Sequence, residues 1–599
     1  MATPHGNMSA HYRQPMYSNL KNVQYLVAML KKQAIRRIVV SPGNSHNAIV
    51  RSIEEDPFFE TFCITDERSA AFFANGIIQQ TGEAAAILCT SGTAASNYLT
   101  GVTEAYRRNL PLVVITADKH PYFLAQMEDQ MIDQPSIFKP VTKASVLLPE
   151  IEGRYDTWYC QRMLNEAFLE LHHHGSGPIH IDVPISSGMF AIGQDFTTET
   201  LPEVHLIHRY GHTTPEATWR QACSELIGKR VLFFCGQDYS FSREEREMLA
   251  EISGKCDCIL AVDSLSNLHC GKTVNTNKVI AITPDLMPDV IVTLNGNFIT
   301  NFKYELKNDS LCSSHWRVAE DGRVADPFRK LGKIFECDTM TFLRHLNAAL
   351  PENAPDTYYR LWAEREQAFS VPDLPYSNLY ACQRALAALP DGSLLNIGNS
   401  TTIRIAQYFD IPESVKVFAN RGVNGIDGCM STFIGQSAVT RELSFLLIGD
   451  LTFFYDMNAL WNRYQGKNLR IMLFNNGGAA LFHFNQGLDK FPTLNKNVAA
   501  EHFSSAEAWA RAQGYNYLSS RSKEEYDAML PQFVSEQGDK PMLFEVFTDK
   551  AEDARLQHVL IDANRYQGNF GGAGSALKHA IGQTKVGQAL KAFIKTNNR

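Results

Sequence analysis

The 599-residue chain has no surplus of basic residues: 56 Lys and Arg stand against 64 Asp and Glu, a formal net charge of −8. A protein that tracks nucleic-acid phosphates needs a basic face, so that class of partner is not expected. No uninterrupted apolar run approaches the ~20 residues that span a bilayer. The stretch from Met1 to Gln14 lacks the basic-then-apolar order of a secretion signal. Cysteine occurs twelve times, yet no Cys-x-x-Cys pair and no His/Cys group at zinc-ligand spacing is found. Cys256 and Cys258 are expected to share one face of a strand, and free thiols in a reducing cytosol are the expectation for all. His172-His173-His174 precedes Gly175 at an expected helix end, where histidines cap the negative end of the helix dipole. These absences point to a cytoplasmic protein whose cation-rich site is local.

What is present is a soluble globular composition, 44% hydrophobic and 20% charged, over a length that suits three domains. Short β-branched runs alternate with helix-length amphipathic segments, the pattern of an α/β fold with largely parallel sheets flanked by helices. Strands are expected at Arg37–Ser41, Phe62–Thr65, Ala85–Thr90, Leu112–Thr116 and Ile179–Val183. A linker is expected over about 186–215. A second α/β part follows, with strands at Arg230–Cys235, Cys258–Val262, Val290–Leu294 and His315–Val318. It has no glycine-rich dinucleotide fingerprint after its first strand. After a connecting segment at 351–375, strands are expected at Leu394–Ile397, Lys416–Ala419, Ser444–Ile448, Arg470–Phe474 and Pro541–Val546. The domains expected are 1–190, 210–350 and 375–599.

The strongest chemical signal is in the last third. Gly449-Asp450 ends one strand, and Asn475-Asn476-Gly477-Gly478 ends the next, with a helix between. A carboxylate and an amide oxygen then sit at the carboxyl edge of a parallel sheet, where such sheets bind ligands. Mg2+ takes hard oxygen ligands and shares phosphate oxygens with its substrate. Asp450, Asn476 and the Gly478 carbonyl are the expected metal ligands. Gly449 leaves room for a phosphate, and the following helix, with Leu451 and Thr452, offers amide groups. Either turn alone is commonplace. The two together, 26 residues apart, match the thiamine-diphosphate signature.

That cofactor needs a carboxyl group against its aminopyrimidine nitrogen to tune the ring for proton removal. Glu67, just past a strand and opening an Ala/Phe-rich helix, is the catalytic candidate. An apolar site with a raised pKa is expected for it. Thr90-Ser91-Gly92-Thr93-Ala94 follows the next strand as a strand–turn–helix loop that brings Gly92 toward the cofactor.

With Asp66-Glu67-Arg68-Ser69-Ala70, Thr116-Ala117-Asp118, Gly398-Asn399-Ser400, Asn420-Arg421-Gly422, Gly425-Ile426-Asp427-Gly428, Gly449-Asp450-Leu451 and Asn475-Asn476-Gly477-Gly478, the chain resembles the menaquinone-pathway synthases that join 2-oxoglutarate to isochorismate. The resemblance covers most of the chain. It implies a three-domain thiamine-diphosphate fold of pyrimidine, central and diphosphate domains, with thiamine diphosphate and Mg2+ as cofactors. It also implies a homodimer or homotetramer whose active sites lie between subunits, Glu67 of one facing Asp450 of another. By the same resemblance Ile426 lies under the bent cofactor and Gly398 beside it, while Ser400, Arg404 and Arg421 hold substrate carboxylates. Arg suits that task through its bidentate fork. Asn44, Ser45, His46, Lys119, Gln130 and Phe482 complete the substrate side.

The chain departs from the family at the acceptor side. It reads Asn44-Ser45-His46-Asn47 where the family carries Ser-Arg, Lys119 where it has arginine, and Asn301-Phe302 beside Lys303 where it has a basic pair. Each lost charge-assisted hydrogen bond is worth ~1.5–3 kcal/mol, and His46 is a candidate acid/base group. The expected function is therefore 2-oxoglutarate decarboxylation with transfer to isochorismate. The alternatives are a paralogue using another acceptor or 2-oxo acid, a non-catalytic scaffold of the same fold, and a flavin-dependent acetolactate-type enzyme. The weak nucleotide signal in the central part disfavours the last.

Overall fold

The computed structural model describes residues 14–185, 195–237, 241–294, 296–300, 302–307, 314–485 and 487–565. The chain divides into two compact units, one of residues 1–213 with 320–336 and the other of 214–319 with 337–599.

The first unit is built on six strands in the spatial order Glu60–Cys63, Arg37–Val40, Ala85–Cys89, Leu112–Asp118, Ile179–Pro184, Ala144–Leu147. All are parallel. Ala85–Cys89 and Leu112–Asp118 are buried along their whole length, which is why they read as unbroken apolar runs. Alternate residues serve opposite faces. Ile38 and Val40 pack with helices Lys21–Lys32 and Arg154–Glu170. Val39 and Ile87 pack with helices Glu67–Thr81 and Thr93–Arg107. Those last two helices meet so closely that a Cβ on Gly101 would lie 2.4 Å from the Ala71 Cβ.

The second unit carries two parallel sheets. In one the order is Thr273–Asn275, Cys258–Val262, Val231–Cys235, Val290–Leu294, Ser314–Val318. In the other it is Lys416–Phe418, Leu394–Ile397, Ser444–Gly449, Leu469–Asn475, Met542–Phe547, Asn516–Ser520. The latter repeats the strand order of the first unit's six-stranded sheet. Asn267 joins the two sheets by donating from Nδ2 to the Val417 carbonyl at 2.9 Å and accepting from Val417 N at 2.8 Å.

The α/β expectation is met, with corrections of detail. Described residues within the supposed linker include a strand, His208–Tyr210, paired in parallel with Leu331–Phe335. The connecting segment near 351–375 contains helix Thr357–Gln367, which buries Tyr358 and Trp362 completely. Cys256 does not share a strand with Cys258. It caps helix Arg243–Lys255, and the strand begins at Cys258. Every cysteine among the described residues is a free thiol. Of the histidines after helix Arg154–Glu170, His173 and His174 turn their rings to carboxylates of Glu170 and Glu336 rather than to the helix carbonyls, and His172 Nδ1 pairs with Ser176 Oγ at 2.9 Å.

Candidate active site

In the six-stranded sheet of the second unit the chain runs from Leu394–Ile397 outward to Lys416–Phe418, then returns past its start to Ser444–Gly449. The carboxyl ends of the first and third of these strands therefore flank the point where connections diverge, the usual ligand crevice of such sheets. Asn399 and Ser400 stand at one end, and Gly449 and Asp450 at the other.

Asp450 is buried and opens helix Asp450–Tyr455. Its Oδ1 accepts from Leu451 N at 2.7 Å, as an isolated turn would arrange. Its Oδ2, however, accepts from both Asn476 N and Gly478 N at 3.0 Å. The two motifs are thus one structure. Asn476 donates from Nδ2 to Asp553 Oδ2 at 2.9 Å, which fixes its amide orientation and leaves Oδ1 as an acceptor. Asp553 is held by Asn378 N and Thr548 Oγ1, and burial pushes its pKa up to about 6. Gly478 adopts φ of 142°, and a Cβ there would meet the Ala499 carbonyl at 2.6 Å. Gly449, by contrast, has an ordinary φ of −81° and open space beside it, with only Thr402 Oγ1 at 3.8 Å. His502 Nε2 lies 3.3 Å from Asp450 Oδ2 without a hydrogen-bond partner. A carboxylate, an amide oxygen and a carbonyl beside an uncrowded glycine fit a hard divalent ion carried with a diphosphate.

Ser400 takes φ 73° and ψ −128° at the start of helix Thr401–Ala406. Only glycine adopts this region readily, and a side-chain residue held there costs of order 1–3 kcal/mol. Gly92 has nearly the same angles, φ 83° and ψ −135°, at the start of its own helix. Arg404 Nη1 donates to the Ser400 carbonyl at 2.6 Å, and Arg421 Nη1 to Asn399 Oδ1 at 3.0 Å. Asn399 Nδ2 in turn donates to the carbonyls of Asn420 and Gly425, so it clamps the loop that carries half-buried Ile426. Arg404 and Arg421 line a cavity of about 350 Å³ together with Lys303. Burial lowers the pKa of all three, and for Lys303 and Arg421 the neighbouring cations lower it further. Among the described residues none of the three forms an ion pair, and Arg421 Nε has no partner. The charge of buried Asp263 acts on Arg421 without an ion pair forming, so among the described residues three partly desolvated cations remain to make an anion site. Leu481 and Phe484 line this cavity from helix Ala480–Phe484. Phe482, expected there, is half-buried on the same helix and is not part of the lining.

The first unit has its own switch point, between Arg37–Val40 and Ala85–Cys89. Their loops meet: Ser45 N donates to Thr90 Oγ1 at 3.3 Å, and the Ser45 and Ser91 hydroxyls are 3.4 Å apart. Asn44 is exposed, accepting from Asn47 Nδ2 at 2.8 Å. His46 is buried, with Nδ1 unpartnered, and burial lowers its pKa to about 4. Burial thus favours a neutral, enclosed imidazole at the position read as a candidate acid/base group. Lys119 Nζ is engaged by Glu128 Oε1 and the Asp129 carbonyl, both at 2.6 Å. Gln130 is exposed in a left-handed conformation, φ 53°, and a Cβ on Gly92 would meet its carbonyl at 2.9 Å.

Glu67 begins its helix behind the Asp66 cap, which accepts from Ser69 N at 2.9 Å. The side chain is half-buried, with Asn97 Nδ2 3.3 Å from Oε2. The apolar surroundings expected for it are not supplied by its own unit: Asp66, Arg68 and Ser69 are exposed around it. Phe72 and Phe73, one to two turns on, are 46% and 42% exposed.

Sequence patterns gave no sign of the polar relay behind Gly92. Gly92 N donates to Gln134 Oε1 at 2.9 Å, and Gln134 Nε2 to Asp182 Oδ1 at 2.7 Å. Thr116 Oγ1 joins Asp182 to His180, whose pKa burial lowers to about 3. Asp182 is held well above the usual range, first by burial and then by repulsion from Asp118, which burial in turn raises to about 6. Asp182 Oδ2 has no hydrogen-bond partner. An acid whose folded pKa is raised adds stability that is complete below its unfolded pKa and is lost as pH rises through the folded value. Asp182→Asn removes that loss. Its melting temperature should pull ahead of the wild type as pH rises above the ordinary carboxyl range, by about 2–4 °C if ~1 kcal/mol is recovered. Calorimetry at pH 5, 7 and 8.5 checks this, and a gap that shrinks with pH refutes the sign.

Residues 20–137 match the family described as thiamine pyrophosphate enzyme, N-terminal TPP binding domain. The chain is 38% identical to a 2-succinyl-5-enolpyruvyl-6-hydroxy-3-cyclohexene-1-carboxylate synthase of Phocaeicola vulgatus over 551 residues, covering 90% of this chain and 98% of that protein. Proteins of the same description from Bacteroides fragilis and Bacteroides thetaiotaomicron are 37% and 36% identical, with the same coverage. No helix among the described residues is long and apolar enough to cross a membrane.

Proposed function

The chain belongs to the 2-succinyl-5-enolpyruvyl-6-hydroxy-3-cyclohexene-1-carboxylate synthase family, and from that premise we propose that it joins 2-oxoglutarate to isochorismate with loss of carbon dioxide. It is a thiamine-diphosphate enzyme with a divalent metal, Mg2+. The observation that carries the reading is the Asp450 carboxylate gathering the amides of Asn476 and Gly478 at a sheet switch point. Menaquinone biosynthesis is the pathway this reaction serves, and cytoplasm is the compartment proposed.

Asp450, Asn476 and the Gly478 carbonyl would hold the metal, with Gly449, Leu451 and Thr452 beside the diphosphate. Gly92, Gly398, Ser400 and Ile426 would contact the rest of the cofactor. Thiamine diphosphate, when bound, supplies the carbanion chemistry that 2-oxo acid decarboxylation requires. Glu67 holds a proton against the aminopyrimidine nitrogen. Arg404, Arg421 and Lys303 pair the substrate carboxylates, and Ser400 stands between cofactor and substrate. Asn44, Ser45, Lys119, Gln130 and Phe482 form the acceptor side, with His46 supporting the Ser45 loop from within. The domains are pyrimidine-binding at 1–190, central at 210–350 and diphosphate-binding at 375–599.

The protein works as a homodimer, or a homotetramer of such dimers, in which Glu67 of one protomer serves the metal site of another. Support comes from the uncovered Phe72 and Phe73 on the Glu67 helix and from exposed Val423 and Phe503 in the last third.

The test is product formation from 2-oxoglutarate and isochorismate with Mg2+ and thiamine diphosphate. Consumption of 2-oxoglutarate without condensation would overturn the acceptor. Arg421→Lys keeps the charge and loses the fork. It should raise KM for 2-oxoglutarate roughly 10- to 150-fold, the equivalent of one charge-assisted hydrogen bond of ~1.5–3 kcal/mol. An unchanged KM would remove Arg421 from the carboxylate site.

A further inference from the structure

The histidine run takes no part in the site just described. It follows helix Arg154–Glu170 and leads to the amino end of strand Ile179–Pro184, whereas the loops of the candidate active site in this unit leave carboxyl ends. His173 Nε2 is 2.8 Å from Glu336 Oε2, and His174 Nε2 is 3.0 Å from Glu336 Oε1. The three ligand atoms of His173, His174 and Glu336 lie within 4.8 Å of one another. All three residues belong to the first unit.

We propose that His173, His174 and Glu336 form a binding site for a transition-metal dication of the Zn2+ class, separate from the Mg2+ site. The imidazole chemistry argues for it. A neutral imidazole carries one N–H, but His173 faces a carboxylate at each nitrogen, because Nδ1 is also 3.0 Å from Glu170 Oε2. With the proton on Nδ1, the Nε2 lone pair points at Glu336, a contact made favourable either by a second proton on the ring or by a cation held between the two groups. A histidine that donates from Nδ1 to a carboxylate and offers Nε2 is the usual outer arrangement of metal-binding histidines. Arg209 Nη2 donates to Glu170 Oε1 at 2.9 Å and so fixes the carboxylate whose Oε2 faces His173 Nδ1. Backbone geometry builds the site too. His174 adopts φ 50°, and Gly322 is needed opposite, since a Cβ there would fall 2.5 Å from Glu336 Oε2.

Two imidazole nitrogens and a carboxylate oxygen suit Zn2+ with an open fourth position, and Mg2+, which prefers an all-oxygen set, does not compete. Ligand atoms around a tetrahedral ion with bonds of ~2.1 Å stand roughly 3.4 Å apart, so small side-chain shifts suffice. Arg209 lies 3.7 Å from Glu336 Oε2, on the carboxylate oxygen away from His174. Its charge keeps the affinity below that of closed structural zinc sites. The bound ion would tie the helix end to the segment after strand Leu331–Phe335, a stabilising role and not a catalytic one.

The test uses the full chain saturated with Mg2+ and thiamine diphosphate, titrated with Zn2+ against a chromophoric chelator and separately with Co2+. One Zn2+ per chain is expected, with a tetrahedral Co2+ absorption band and a raised melting temperature. His174→Gln, at a side chain 77% exposed and therefore safe for folding, should weaken Zn2+ at least ~10-fold and abolish the Co2+ band while leaving turnover unchanged. Glu336→Gln should do the same to the metal. No Zn2+ uptake by the wild type, or identical titrations of wild type and His174→Gln, overturns the site.

Discussion

Asp450→Asn will abolish Mg2+-dependent uptake of thiamine diphosphate while the protein stays folded. The substituted side chain keeps one oxygen, but its new NH2 group must face either Leu451 N or the amides of Asn476 and Gly478, all of which are donors. It also lacks the charge that a divalent ion draws on. Changes to groups that merely orient metal ligands cost 10–100-fold in affinity, so loss of the ligand charge should exceed ~100-fold. Calorimetric titration with cofactor and Mg2+ measures this, with circular dichroism as the check on folding. Wild-type affinity in the variant would dismantle the metal assignment, and with it the reading of Asn476 and Gly478.

Glu67→Gln separates chemistry from binding. The glutamine has the same shape and can still meet a ring nitrogen, but it cannot exchange a proton with it. Turnover should fall about 10²- to 10⁴-fold, the range of a positioned acid–base group, while cofactor affinity changes little. Among the described residues the Glu67 carboxylate has its hydrogen bond from Asn97, so the substitution has little structure to disturb. A variant that turns over at the wild-type rate would show that Glu67 only caps its helix. One that loses both turnover and cofactor would place it in binding instead. The Asp450 and Glu67 variants are also complementary. If each half-site belongs to a different protomer, mixing the two inactive proteins should restore part of the activity.

The parts of the candidate metal site were legible as local motifs. Gly449-Asp450 and Asn476-Gly477-Gly478 each follow an apolar run, and each run became a strand within one residue of its expected bounds. Some short edge strands were not legible, although those at Glu60–Cys63 and Lys416–Phe418 overlap expected ones. Ala144–Leu147 and Asn516–Ser520 carry serine and asparagine and are only half-buried, so they show no apolar run. His208–Tyr210 is three residues long and finds its partner more than 100 residues away at Leu331–Phe335. The relay from Gly92 through Gln134 to Asp182, and on through Thr116 to His180, draws on four separate segments. No spacing rule joins them. His46 misled for a related reason: a histidine beside glycine and serine looks available, and only packing reveals that its ring is enclosed. Lys303 was noted only as standing beside Asn301-Phe302, where the family has a basic pair; Asn301 lies outside the described residues and Phe302 is buried. In space Lys303 joins Arg404 and Arg421 around one cavity.

What the chain's own pattern determined was its class: runs buried on both faces must be apolar throughout, and alternation with amphipathic helices then leaves parallel sheets as the outcome. It also determined the chemistry of the metal corner, since oxygen donors and glycines at strand ends can be read one segment at a time. Strand order was decided only in three dimensions, because pairing such as Leu394–Ile397 with Ser444–Gly449 depends on crossover connections that no local pattern encodes. That order creates the switch points, and so tertiary structure alone decided which polar groups share a crevice, which are buried, and which cations stand together.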